Sequence, residues 1–119
     1  MLKLHKTNLI TLPVKLKLPT DNPNSFNEGT ITVQMLVKSK EELSDFSERG
    51  WVDADYIEEL LKKVEGLGDE DGKAFDNEAA IDEVKKGQWS GFLQPAILQA
   101  YFEAMGDSRV KNSRPSRGR

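Results

Sequence analysis

The chain has 119 residues, 37% apolar and 31% charged, enough for one small core and one domain. It holds no cysteine, which excludes a disulfide framework and a thiolate metal site, and no run approaches the roughly 20 apolar residues of a membrane span. Its 17 basic and 20 acidic side chains are unevenly placed: five of the basic ones, and no acid, fall in residues 109–119.

An acidic body argues against a general nucleic-acid-binding face. The Arg-, Ser- and Pro-containing end reads as a basic, disordered tail. The amino end interleaves apolar residues with Lys and lacks the continuous apolar run of a signal peptide. These features predict a soluble protein of the cell interior with a single domain over residues 1–108.

In chain order, Val14, Leu16 and Leu18 alternate with Lys15 and Lys17, the period of a strand with one dry face. The strand is predicted over residues 9–18, and Pro13 places it at a sheet edge or a bulge. Ile31, Val33, Met35 and Val37 alternate with Thr32, Gln34 and Leu36, which predicts a second strand over 30–38. The intervening "PTDNPNSFNEG" is rich in turn formers and predicts a mobile hairpin loop over 19–29.

From Ser39 the period changes. Ser39 stands three residues before Glu42, the spacing of a capping box, and Gly50 supplies a stop. Asp53 is predicted to cap a second helix, whose stripe Tyr56, Ile57, Leu60, Leu61 and Val64 recurs at three and four residues. Gly66 and Gly68 stop that pattern. Asn77 is predicted to cap a third helix through Ile81 and Val84, ended by Gly87. Ser90 precedes a fourth, in which Pro95 is placed near the start, where its missing N–H is tolerated. Two strands followed by about four short helices predict an α+β fold.

Few constellations offer chemistry. The acids of "GDEDGKAF" (residues 68–75) invite a calcium-loop reading, but with Asp69 first, Lys73 falls on a ligand position, Ala74 replaces the required glycine and Ala80 the terminal Glu. The stretch therefore reads as a turn with solvated acids and Phe75 directed inward. His5, the single histidine, sits between Lys3 and Lys6 near the chain end and reads as a surface residue. Paired carboxylates lie on helix faces and turns. No catalytic residue, metal site or cofactor follows. Trp51 reads as packing at a helix junction, whereas Trp89 leaves packing and partner contact both open. The stripe Ile97, Leu98, Tyr101, Phe102 and Met105, preceded by Phe92 and Leu93, is wide for so small a body. Core packing is its default account, and partial exposure to another chain the alternative.

One resemblance runs through these segments in order. "LPVKLKLP" and "GTITVQMLVKSKEEL", then "VEGLGDEDGKAFDNEA", then "ILQAYFEAM" and "RVKN", resemble the tail assembly chaperones of long-tailed (siphovirus-type) bacteriophages and prophages. Two features depart from that pattern: the Trp just ahead of the DEDG turn is absent, and Ala74 replaces the Pro before the aromatic. The resemblance implies a non-enzymatic protein of the host cell cytoplasm. Its client would be the tape measure protein, kept soluble until the tail tube polymerises. A frameshifted longer form recruiting tail tube protein, and self-association, belong to the same implication. Within it, Phe92, Ile97, Tyr101 and Phe102 are the expected partner-binding residues, by helix-in-groove contact. Two other classes compete: a structural tail-completion or head–tail connector subunit retained in the virion, and a regulator binding nucleic acid through the basic tail.

Overall fold

The period-two stretches form the strands β1 (Leu9–Pro19) and β2 (Phe26–Leu36), paired antiparallel in one uninterrupted register from Leu9↔Leu36 to Pro19↔Phe26. The computed structural model describes residues 1–2 and 8–106, so His5 and the basic tail lie outside the described residues. The ladder runs further out than the sequence predicts: residues 26–29, assigned above to the loop, are paired strand, and only residues 20–25 connect the two. Thr20 and Asn22 organise that connection, Thr20 Oγ1 donating to the carbonyls of Asn22 and Ser25. The second strand also ends at Leu36, not at 38.

Helices α1 (Lys40–Glu48) and α2 (Asp53–Leu60) follow. The Ser39 capping box is present in both directions, Glu42 N–H donating to Ser39 Oγ at 3.1 Å and Ser39 N–H to Glu42 Oε1 at 3.0 Å. Gly50 takes a positive φ of 80° directly after α1, as a left-handed C′ residue does. At the second helix the cap differs from expectation. Val52, not Asp53, occupies the cap position, and its N–H donates to the Asp55 carboxylate at 3.0 Å.

The largest departure comes at Leu61. The predicted long second helix stops at Leu60, and Leu61–Glu65 form a third strand, β3, antiparallel to β2. The sheet order is β1-β2-β3, with β2 central. Val64 pairs with Val33 and Lys63 with Gln34, but the next pair is Met35↔Leu61, so Lys62 is an extra residue. This bulge reverses the alternation. Leu61 and Val64 therefore both face inward although they are three apart, which is why their spacing imitates a helix. Gly66 then turns the chain away at φ 101°, and a Cβ there would stand 3.2 Å from Ile31 Cα.

Helices α3 (Asn77–Lys86) and α4 (Ser90–Met105) complete the chain. Asp76 caps α3, accepting from Ala79 N–H at 2.8 Å. Asn77 is not the cap. Its side-chain amide accepts from Val64 N–H at 2.9 Å and lies 3.4 Å from the Lys62 carbonyl, so it covers the outer edge of β3. Pro95 sits in the second turn of α4, deeper than predicted. The Gly91 carbonyl that its missing N–H releases is at an exposed residue, where water can satisfy it. Gly106 ends α4 in the left-handed region.

The helices cover one face of the sheet, and Val14, Ile31, Val33 and Met35 meet Ile57, Leu60, Ile97 and Tyr101 in the core. The opposite face carries Lys15, Lys17, Thr32 and Gln34 and is left to solvent, as an antiparallel sheet permits. The result is the predicted α+β class with an amino-terminal hairpin, in one small domain.

Candidate functional site

The four residues expected to bind a partner occupy different environments. Ile97 and Tyr101 are fully buried at 0% exposure, and the Tyr101 hydroxyl donates to the Leu36 carbonyl at 2.8 Å, fastening α4 to the sheet. Phe102 is half-buried and packs edge-on against Tyr56 and Tyr101, with ring centroids 5.4 and 5.5 Å apart. Phe92 is exposed at 46% and stands 5.6 Å from Trp89. Ile97 and Tyr101 thus serve the core of this fold and present nothing to a partner, because the stripe's helical period aims them at the sheet. Trp51 is accounted for in the same way. It stacks on Phe46 at 3.9 Å, with the two rings 1° from parallel, at the α1–α2 junction.

A second feature is an open groove of about 860 Å³, lined in part by apolar side chains. Three parts of the chain frame it. The outer half of the hairpin supplies Leu16, Leu18 and Ile31; the turn after β3 supplies Leu67 and Phe75; the α3–α4 corner supplies Trp89 and Leu93. Leu16, Leu18, Leu67, Phe75 and Trp89 are each only partly covered. Gly29, in β2, leaves that wall low, since a Cβ there would meet nothing within 4 Å. Four acids, Glu28, Asp69, Glu70 and Glu83, also line the groove, and among the described residues no Lys or Arg does.

The "GDEDGKAF" stretch builds one wall. Asp69 Oδ1 accepts from the N–H groups of Asp71 and Lys73 at 3.0 and 2.9 Å, and Phe75 N–H donates to the Leu67 carbonyl at 2.9 Å. Gly72 N–H donates to the Asp69 carbonyl, and Gly72 has φ 86°. Asp69 is therefore a structural residue of the turn, while Glu70 and Asp71 remain exposed. Gln94 Nε2 donates to the Val84 carbonyl at 3.0 Å and tethers α4 to the end of α3.

No family model, no curated protein and no solved structure matches the chain. The site is therefore argued from its own geometry. Among the described residues, no group of three His, Cys, Asp or Glu side chains is placed to hold a metal ion, and no helix is long and apolar enough to cross a membrane. Glu42 has its pKa lowered, first because the Ser39 backbone N–H donates to its carboxylate and further because the Lys38 ammonium is near. Glu42 belongs to the α1 cap, not to the groove. What the groove offers is apolar contact area, a rim of negative charge and backbone.

Sequence reasoning found the framing residues without finding the groove. Phe75 and Trp89 are singled out by their type and place, but Leu16, Leu18 and Leu67 read as ordinary strand and turn positions. The signal that could have found it is Gly29, a glycine at an inward position of a strand, which marks a close approach of something else.

Proposed function

We propose that this chain is a non-enzymatic tail assembly chaperone of a long-tailed bacteriophage or prophage. It acts in the host cell cytoplasm and binds the tape measure protein, keeping that long client soluble until tail tube polymerisation. The observation that carries the reading is the open, acid-rimmed groove, whose lining is part apolar and part polar. An open groove of this kind can shield apolar side chains of another chain while the acidic body keeps the complex dispersed. The order of motifs along the sequence supports the same assignment. Self-association along an extended client, and recruitment of tail tube protein by a frameshifted longer form, belong to the proposal as well.

The test is co-expression of the chain with the tape measure protein of the same genome. The expected result is client in the soluble fraction, captured with the tagged chain, and absence of the chain from purified virions by mass spectrometry. A folded chain that neither captures nor solubilises the client overturns the proposal. Stoichiometric presence in virions would assign the chain to the structural class instead.

A further inference from the structure

The groove has a property that its apolar lining alone does not reveal: one wall is the unpaired edge of a strand. The β2–β3 ladder ends at Thr32↔Glu65, while β2 itself continues outward to Phe26. Which backbone groups of this outer half face the vacant side follows from parity. Val37 N–H donates to the Asn8 carbonyl, so the odd-numbered residues of β2 bond to β1 through the unbroken register. The even-numbered ones face the other way. β3 agrees, because Val64, opposite Val33, turns its N–H away from β2 to Asn77. The N–H and C=O groups of Phe26 and Glu28 therefore point into the lane that β3 vacates when the chain departs at Gly66, which still lies against Thr30 and Ile31. Residues 26–30 are all exposed, and residues 27–31 line the groove.

We propose that this lane receives an extended segment of a partner chain, added to β2 as a further strand in line with β3. The inference rests on reading the groove as a partner site, and it replaces helix-in-groove contact with strand addition as the binding mode. Gly66 still stands against Ile31 and the Thr30 carbonyl, so at about 3.4 Å per residue the open stretch from Phe26 to Gly29 accommodates about four residues of the partner. Every second side chain of that segment would drop onto Leu67, Phe75 and Trp89, over the space left open above Gly29. The intervening side chains would stand beside Glu28, with Asp69, Glu70 and Glu83 around the opening. The segment that fits alternates apolar residues with Lys, Arg or Thr. The amide of Asn77 closes the edge of β3 and Pro13, with no N–H, interrupts the free edge of β1. The outer half of β2 thus remains a run of edge with both free donors and an apolar bed.

The probe is an eight-residue labelled peptide alternating Val with Lys and Thr, followed by fluorescence anisotropy against the full chain. N-methylation of the residues of one parity removes the donors that face β2, and N-methylation of the other parity removes donors that face solvent. The expected result is a loss of about tenfold or more for one parity and little change for the other. Exchanging Lys for Glu in the peptide should also weaken binding. Gly29→Phe should weaken it by at least about tenfold without lowering the melting temperature, since it fills the bed at a position with open space and improves strand propensity. Equal loss for both parities, preference for a helix-constrained peptide, or unchanged binding to Gly29→Phe overturns strand addition. If the tape measure protein is captured while the peptide fails these tests, the chaperone reading stands without this mode. If the peptide binds as expected and the tape measure protein is not captured, the lane stands and its client is another chain.

Discussion

Asn77→Ala separates the two roles that this residue can play. As a helix cap, its loss would free an N–H of the first turn of α3. In the structure that duty belongs to Asp76, and the Asn77 amide instead holds Val64 N–H at 2.9 Å and approaches the Lys62 carbonyl at 3.4 Å. The first contact carries the energy, because 3.4 Å is at the weak limit of a hydrogen bond. The bond is part-buried and Asn77 itself is exposed, so water can partly replace the lost acceptor and the loss falls toward the lower end of the usual range. Leaving a buried donor unmatched costs about 1–3 kcal/mol. Alanine recovers about 0.5 kcal/mol through its better helix propensity. The expected net loss is about 0.5–2.5 kcal/mol, or a melting temperature lower by roughly 2–12 °C for a chain of this size. Chemical denaturation gives the magnitude, and amide hydrogen exchange gives the location: Val64 should exchange faster, with Ala79 unchanged. Asp76→Ala should do the reverse, at a cost of about 1 kcal/mol. Faster exchange at Ala79 in Asn77→Ala, or a loss below about 0.3 kcal/mol, would refute the edge-covering role.

Three further outcomes can be checked on the purified protein. Tyr101→Phe removes a buried hydroxyl and leaves the Leu36 carbonyl without that donor, so denaturant melts should show a loss of about 1–2 kcal/mol with the fold retained. Gly106→Ala forces a side chain into a left-handed C-cap at φ 69°; thermal melts should register a loss of about 1 kcal/mol. The Glu42 carboxylate has its pKa lowered in the folded state, so the stabilisation it brings is complete above the unfolded value near 4.5 and fades as pH falls below it. Acid titration of stability should therefore show wild type and Glu42→Gln converging at low pH, and a gap that stays constant would contradict the capping box.

Much of this fold is legible along the chain. Alternation in Val14–Leu18 and Ile31–Met35, the Ser39–Glu42 box, and the glycines at 50, 87 and 106 are local signals, because each depends on neighbours within one turn or one strand. They suffice for the hairpin, the number and order of helices, and the α+β class. Leu61 and Val64 show where local signals fail. Their spacing fits a helix as well as it fits a bulged strand, and the choice is made by Val33 and Met35, some 30 residues earlier, which offer a paired edge. The same holds for Asn77, whose residue type suits a cap and whose partner is a strand 13 positions away in sequence.

The candidate site divides along the same line. The apolar stripe of α4 is plain in the sequence, but its period says only that Ile97, Tyr101 and Phe92 share a helix. Packing against the sheet decides that Ile97 and Tyr101 vanish into the core while Phe92 stays outside. The groove exists only because β3 is shorter than the strand it pairs with, a mismatch that no single segment encodes. By itself the sequence determined the hairpin, the four helices, their order and the polarity of their faces, since these follow from periodicity and caps, but not the strand β3. The tertiary structure alone decided which edge is covered, which is left open, and which apolar residues stay outside the core, because each of these depends on pairing between distant segments.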